Sequence, residues 1–482
     1  MKSNNSILNL RQKLDNKEVS SLDLFTEASN KAHMYQDDYN LFVTIMDEKI
    51  EQESSSILAG IPYALKDNIS TKGILTTASS NLLKDYVPVY DATVYEKLKN
   101  AGAVLVGKTT LDELAMGGTG TTAHTGLVRN PWDKTRQIGG SSSGSAGVVC
   151  LDIVPYAIGS DTGDSIRKPA AYAGVVGFKP TYGLISRYGL FAFASSLDHV
   201  GVLARSVRDV SLVTDVIKGH DPKDMTSLAS DNIIFSDNLD KDISGKKLFY
   251  IKEICDYNTS NDEESKAVLD NFFDVVKKVE ALGASVCEVS IDKDLLNAIY
   301  PTYMSISCAE ATSNNANLVG IHFGNRLGKD SIEDIMFETR TQGFSELIKR
   351  RFVLGSYILQ KENQEKLYLN ACRIRRLLVE KLTSLFMEYD GLIMPASGGI
   401  APKFYQKSDK LSDKYLLLEN HLALANFGGF PSITIPSGFV NKMPVGVNIT
   451  SGVKKDLKLL NIANKIEEKL GYKDMIVGED NV

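Results

Sequence analysis

Three short stretches of the chain hold residues that could act on one another as base, relay and nucleophile. Lys66 ends the apolar run Gly60-Ile-Pro-Tyr-Ala-Leu and is followed by Asp67 and Asn68. Ser141 follows Gly139-Gly140 and opens a run of Ser142, Ser143, Gly144 and Ser145, while Ser165 sits in Gly159-Ser160-Asp161-Thr162-Gly163-Asp164-Ser165-Ile166-Arg167. A lysine at the end of an apolar strand, once buried, holds its proton less tightly, because the interior penalises the charged form. Its freed lone pair can then serve as a base. A serine hydroxyl needs such a base to become a nucleophile. The turn from Thr162 to Ser165 can aim several backbone amides at one point, as an oxyanion requires. Each stretch alone has a simpler reading, as a surface lysine or a serine-rich turn. Taken together, the three favour a catalytic set.

Two other motif matches lack the context their chemistry needs. Gly102-Ala-Val-Leu-Val-Gly107-Lys108-Thr109 fits the phosphate-loop pattern, but its four intervening residues are apolar, and two of them are β-branched. Its amides belong in a sheet ladder rather than around a phosphate. Gly140-Ser141-Ser142-Ser143-Gly144 fits the nucleophile elbow, which must follow a buried strand. The residues before it, Asn130 to Gln137, are polar and strand-breaking, and of the six histidines only His124 and His199 lie near the segment.

The elements that position these residues alternate. Residues 1–59 read as an N-terminal helical segment: Leu8, Leu10, Leu14, Leu22, Leu24 and Phe25 recur at helical spacing, and Ser20-Ser21 offers a cap. From Gly60 short apolar strands alternate with helices. Asp91 to Asn100 reads as a helix, Ala103 to Val106 as a strand and Thr110 to Met116 as another helix. Later, Glu263 to Leu282 reads as a long helix followed by a strand over Ala284 to Ile291. The pattern predicts α/β architecture, with residues 60–475 as one large domain. Residues 117–202 are dense in Gly, Ser and Thr but interleaved with apolar pieces, which fits a constrained core rather than a solvated linker. Gly219 to Asn232 reads as a surface loop or a boundary between lobes.

Bulk properties narrow the class. The chain has 482 residues, 43% of them hydrophobic and 24% charged, with a net charge of −6, so nothing marks it as a nucleic-acid binder. The cluster Arg373-Ile374-Arg375-Arg376 reads as a solvated helix face. Five scattered cysteines (Cys150, Cys255, Cys287, Cys308, Cys372) suggest small core residues rather than a disulfide framework or a metal site. No stretch reads as a signal peptide or approaches the ~20 apolar residues of a membrane span. A soluble, cytoplasmic enzyme is expected.

The three stretches, in their order and at separations of 75 and 24 residues, resemble the signature of the amidase signature family. Its members pair a lysine in a Lys-Asp-Asn context with a serine after Gly-Gly and a serine in Gly-Ser-Asp-Thr-Gly-Gly-Ser-Ile-Arg. Within that family the chain resembles, over about residues 5–470, the A subunits of the glutamyl-tRNA(Gln)/aspartyl-tRNA(Asn) amidotransferases. The resemblance is carried by Asp91-Ala-Thr-Val94, Arg129-Asn-Pro-Trp132-Asp133, Lys179-Pro-Thr-Tyr-Gly183, Ser186-Arg-Tyr-Gly189 and Phe193-Ala-Ser-Ser-Leu-Asp198. The run from Gly343 to Gly355 adds to it.

The resemblance implies a central mixed β-sheet covered by helices on both faces. It also implies a glutaminase in which Ser165 attacks the amide, Ser141, on a cis peptide bond, relays the proton, and Lys66 receives it. Thr162, Gly163 and Asp164 would form the oxyanion hole, and Tyr303, Arg351 and Glu419 would clasp the glutamine backbone. B and C subunits are implied as partners. No cofactor or metal is expected in this chain; ATP and Mg²⁺ would be held by the partner that receives ammonia and acts on misacylated tRNA. A stand-alone amidase and a catalytically weakened scaffold are the alternatives.

The departures fall at four places. Asp164 stands where the family has a second glycine, Lys168 where Gln is common, Glu419 where Asp is usual, and Ser143-Gly144 where Gly-Gly is usual. An aspartate beside a developing oxyanion opposes the transition state unless its side chain turns away, and Lys168 is placed to neutralise it.

Overall fold

The computed structural model describes residues 1–50, 53–229, 233–256, 263–404, 417, 419–478. Its strands are β1 (Phe42–Ile45), β2 (Pro62–Lys66), β3 (Val104–Thr109), β4 (Arg129–Asn130), β5 (Asp133–Gln137), β6 (Tyr156–Asp161), β7 (Val176–Lys179), β8 (His199–Ala204), β9 (Lys247–Ile251), β10 (Ser285–Val289), β11 (Gly391–Pro395), β12 (Ser432–Val440) and β13 (Met443–Thr450). Eleven of them form one mixed sheet in the order β1-β3-β2-β6-β8-β7-β12-β13-β11-β9-β10, and β4 and β5 pair separately. Strands β3, β2 and β6 run parallel, so their carboxyl ends share one edge. That edge is where open α/β sheets place their ligands.

Burial on both faces explains the composition of the central strands. Tyr63, Leu65, Tyr156 and Ile158 enter one hydrophobic cluster, while Ala64, Ala157, Val104 and Val106 enter another. Alternate residues thus face two cores, and the strands read as continuous apolar runs. The helices that matter most are α1 (Ile7–Asp15), α2 (Ser21–Tyr39), α3 (Thr93–Asn100), α4 (Ser143–Cys150), α5 (Arg167–Ala173), α6 (Val207–Ile217) and α7 (Glu263–Glu280). Every residue of α4 and α5 is buried. From Ile138 to Ser186 the Gly/Ser-rich segment is therefore a core, whereas residues 117–137 and 187–192 are mostly half-buried or exposed. None of the described helices is long and apolar enough to cross a membrane.

Several sequence expectations are met and others corrected. The strand at 104–109 takes up the amides of the phosphate-loop match, and Lys108 is buried, donating to Ile69 O, Thr71 Oγ1 and Thr76 Oγ1. The N-terminal segment contains both predicted helices, but Phe42–Ile45 is a strand paired with β3 rather than more helix. Thr110 to Met116 holds only a 3₁₀ turn at Glu113–Ala115. Asp112 does not cap a helix there; its carboxylate accepts from the amides of Thr119, Gly120, Thr121 and Thr122. Local side-chain bonding of this kind competes with helix formation. Asp133–Gln137, expected to break strands, pairs with Arg129–Asn130 in a half-buried ribbon outside the main sheet.

The cationic run is split: Arg373 and Arg376 are exposed, whereas Arg375 is part-buried and donates to Phe427 O and Ser196. Cys150, Cys255 and Cys308 are buried. Of the expected loop, residues 230–232 lie outside the described residues. The rest is irregular yet pinned through buried Asp221, which accepts from Thr93 and Ser186, and Asp224, which accepts from Thr226.

Helix α4 starts in close contact with the strand layer. Gly144 N donates to Thr110 O at 3.0 Å, and Thr110 N donates to Leu41 O at 2.9 Å. A Cβ on Gly144 would strike Leu41 O and the Thr110 backbone, none of which can rotate away. Gly144→Ala is expected to lower unfolding stability by at least ~2 kcal/mol, read by denaturant titration. An unchanged midpoint would contradict this packing.

Candidate functional site

The site begins at the carboxyl end of β2. Lys66 is the last residue of that strand and is fully buried. Its Nζ lies 2.8 Å from Ser141 Oγ, 2.9 Å from Ser142 Oγ, 2.9 Å from Ser160 Oγ and 3.2 Å from Ser160 O. All four neighbours are neutral oxygens. Burial therefore dominates and lowers the lysine pKa to about 7, against the weaker opposing pull of Asp112, Asp161 and Asp198. Near neutral pH a large fraction of the amine is unprotonated, and its lone pair can accept the Ser141 proton.

The serine loop is held from three sides. The Gly140–Ser141 peptide bond is cis. A Cβ on Gly140 would collide with the Asp112 carboxylate, so only glycine fits before Ser141. Ser142 donates its hydroxyl to Ser160 O at 3.0 Å, and its amide donates to Ser165 O at 3.0 Å. One residue thus links the loop carrying Ser141 to the turn carrying Ser165. Asn68 completes the cage by donating to Ser160 Oγ at 3.0 Å. The elbow match at residues 140–144 is incidental: the preceding strand β5 lies outside the main sheet, and His199 is a core residue with Nδ1 2.7 Å from Leu197 O.

The turn after β6 is fixed by charge. Asp161 and Arg167, both fully buried, pair through Oδ1–Nη2 at 3.0 Å and Oδ2–Nε at 3.1 Å. Asp161 also accepts from Ile166 N and Asn426 Nδ2, both at 2.9 Å. Burial alone would raise its carboxyl, but the guanidinium and these donors hold it well below the usual carboxylate range. Arg167 in turn donates to Gly163 O at 2.8 Å and Leu422 O at 2.9 Å. The amides of Gly163, Asp164 and Ser165 find no acceptor among the described residues, as an anion-receiving turn requires. Thr162 is anchored separately, donating its hydroxyl to Asp198 Oδ1 at 2.6 Å, while Asp198 Oδ2 accepts from the amides of Phe193 and Ala194. Burial raises Asp198 to about 6.

The expected substrate residues converge on this turn. The Tyr303 ring stands 3.0 Å from where a Gly163 Cβ would lie and packs edge-on to Phe193 at 6.5 Å. Arg351 lies 5.6 Å from the centroid of that same Phe193 ring and 3.8 Å from Met304 Sδ. Glu419 approaches from the other side through Lys168, whose Nζ is 3.1 Å from Glu419 Oε2 and 2.7 Å from Asp164 Oδ2. The Asp164 carboxylate is thus paired with Lys168, as its position four residues earlier allows. Sequence reasoning missed Ser142, Ser160 and Asn68 around the lysine, and Asp161, Arg167 and Asp198 beneath the turn. Asp161 and Arg167 stand inside one of the three catalytic stretches, and their opposite charges were the available signal.

The amidase family model matches residues 23–460. The A subunit of a glutamyl-tRNA(Gln) amidotransferase from Pseudothermotoga lettingae is 41% identical, with 89% of this chain and 90% of that protein covered. Its counterpart from Thermoanaerobacter pseudethanolicus is 37% identical with 98% of each covered. The crystal structure of the A subunit of glutamyl-tRNA(Gln) amidotransferase from Thermotoga maritima superposes with a TM-score of 0.79 at 35% identity, covering 97% of this chain and 94% of that one.

Breaking the ion pair beneath the turn tests its structural weight. Asp161→Asn leaves the Arg167 cation buried and under-compensated, and is expected to cost about 3–5 kcal/mol of stability by denaturant titration. A loss below about 1 kcal/mol would mean the pair does not hold the turn.

Proposed function

The chain belongs to the amidase family, and from that premise we propose that it is the glutamine-hydrolysing A subunit of a glutamyl-tRNA(Gln) amidotransferase. The observation that carries the reading is the 2.8 Å contact between buried Lys66 and Ser141, one residue from the amide that holds the Ser165 turn. The names and full-length likeness of the relatives support it.

The reaction follows from the groups in place. Ser165 Oγ attacks the side-chain carboxamide carbon of glutamine. Its proton passes to Ser141 as Ser141 gives its own to neutral Lys66. The carbonyl oxygen becomes an oxyanion, received by the amides of the Thr162–Ser165 turn. As the intermediate collapses, the proton returns through Ser141 to the leaving nitrogen, and ammonia departs. Water, deprotonated by the same pair, then cleaves the glutamyl ester of Ser165 and releases glutamate. The partner that receives the ammonia would hold ATP and Mg²⁺ and phosphorylate the γ-carboxylate of Glu-tRNA(Gln), so that ammonia displaces phosphate and gives Gln-tRNA(Gln).

Glutamine fits the charges around the Ser165 turn. Arg351 meets no carboxylate within ion-pair distance among the described residues, and its Nε is buried without an acceptor. Its guanidinium would take the α-carboxylate, a partner that its planar fork can hold bidentately. Glu419 would take the α-ammonium, and Tyr303 packs against Gly163 of the turn. A zwitterionic amino acid matches Arg351, a cation with no carboxylate at ion-pair distance among the described residues, and the excess carboxylate of Asp164, Lys168 and Glu419.

Two measurements test the reading. The chain purified with B and C subunits should form Gln-tRNA(Gln) from glutamine, and Ser165→Ala should abolish this while leaving the reaction with added ammonia intact. Retention of glutamine-dependent activity by that variant would refute the mechanism. The pH profile supplies a second check, since protonating Lys66 removes the base. Glutaminase kcat/KM is expected to fall about tenfold per pH unit on the acid side of about 7 and to level off above it. A profile flat across neutral pH would exclude Lys66 as the base.

A further inference from the structure

The charges around the Ser165 turn divide into groups that cancel and groups that do not. Asp161 and Arg167 neutralise each other. Lys168 is shared by two carboxylates, Asp164 at 2.7 Å and Glu419 at 3.1 Å, and also donates to the Glu419 carbonyl at 2.6 Å. Its ammonium is nearly enclosed, with a side chain only 8% exposed, while the Asp164 and Glu419 side chains keep 19% and 21% of their surface. Two negative charges against one positive leave a net charge of minus one, presented at the partly open end of the trio. Without Asp164, Lys168 and Glu419 would simply neutralise each other. The carboxylate facing the substrate would then be spent on an internal ion pair.

We infer that Asp164 is a specificity-determining residue of the glutamine site: by sharing Lys168 it keeps one negative charge available beside Glu419, and that charge selects amides bearing an ammonium group. The inference rests on the glutaminase reading above. It accounts for two features together, the aspartate next to the nucleophile and the lysine one helical turn later. Either alone would disturb the site. Asp164 alone would put an uncompensated charge beside the oxyanion turn, and Lys168 alone would quench Glu419. As a pair they keep the same net charge that a lone carboxylate at position 419 would give.

The test compares glutamine with glutaramate, which has the same terminal amide and carboxylate but no amino group, using the chain in its complex with B and C subunits. Asp164→Asn is expected to reduce kcat/KM for glutamine about tenfold, with the loss carried by KM, the order expected of one partly screened charge. The glutaramate value should fall less than the glutamine value, so that the preference for glutamine shrinks about fivefold. Asp164→Asn combined with Lys168→Gln frees Glu419 again and should bring glutamine kcat/KM back to within about threefold of the parent. Equal losses for both substrates, or no recovery in the double variant, would overturn the inference while leaving a glutamine-active parent as a glutaminase. A parent complex that turns over no glutamine would overturn both.

Discussion

The amine of Lys66 is buried among hydroxyls and one carbonyl, with no carboxylate at ion-pair distance among the described residues. That single choice of partners sets the rest of the site. A carboxylate in direct contact would hold the lysine protonated, and a solvated position would do the same. Neutral oxygens in a dry environment satisfy the amine without fixing its charge. Lys108, on the adjacent strand, shows the contrast. It is equally buried, yet it lies 3.6 Å from Asp67, whose charge favours the protonated amine and opposes the effect of burial. The two lysines share a sheet and differ in whether an acid faces them.

The second constraint is that acids are nevertheless needed nearby. Asp112, Asp161 and Asp198 each hold a loop of the site, and each is kept off Lys66 by a prior engagement. Asp112 is occupied by the amides of residues 119–122, Asp161 by Arg167 and Asn426, and Asp198 by Thr162 and the 193–194 turn. Each carboxylate anchors backbone that would otherwise be unsatisfied in a buried turn. Their residual field still favours the charged lysine, which is why its pKa stops near 7 rather than falling further.

Much of the catalytic geometry is legible in the sequence because its parts are local. A lysine at a strand end, a serine after two glycines and a serine in a turn announce themselves by residue type, and Asp164 with Lys168 by a four-residue spacing. The support is not legible, because it is assembled from distant chain. Asn426 reaches Asp161 across 265 positions, and Asp112 packs on Gly140 only once the loops are folded together. The mismatch at Thr110–Met116 has the same origin. Its residues suit a helix, but the Asp112 carboxylate within it ties down residues 119–122 instead. Phe42–Ile45 reads as helix for a similar reason: so short a stretch carries too little periodicity to reveal an edge strand that only β3 can recruit.

The shared lysine also bears on how such a pocket can change over time. A site held at one net negative charge by a carboxylate alone and a site held there by two carboxylates and a lysine are functionally close, yet two substitutions apart. The routes between them are unequal in cost. Gaining the lysine first would pair off the Glu419 carboxylate, and gaining the aspartate first would put an uncompensated charge beside Ser165. Positions 164 and 168 are therefore expected to behave as a single heritable unit, crossing the valley together or not at all.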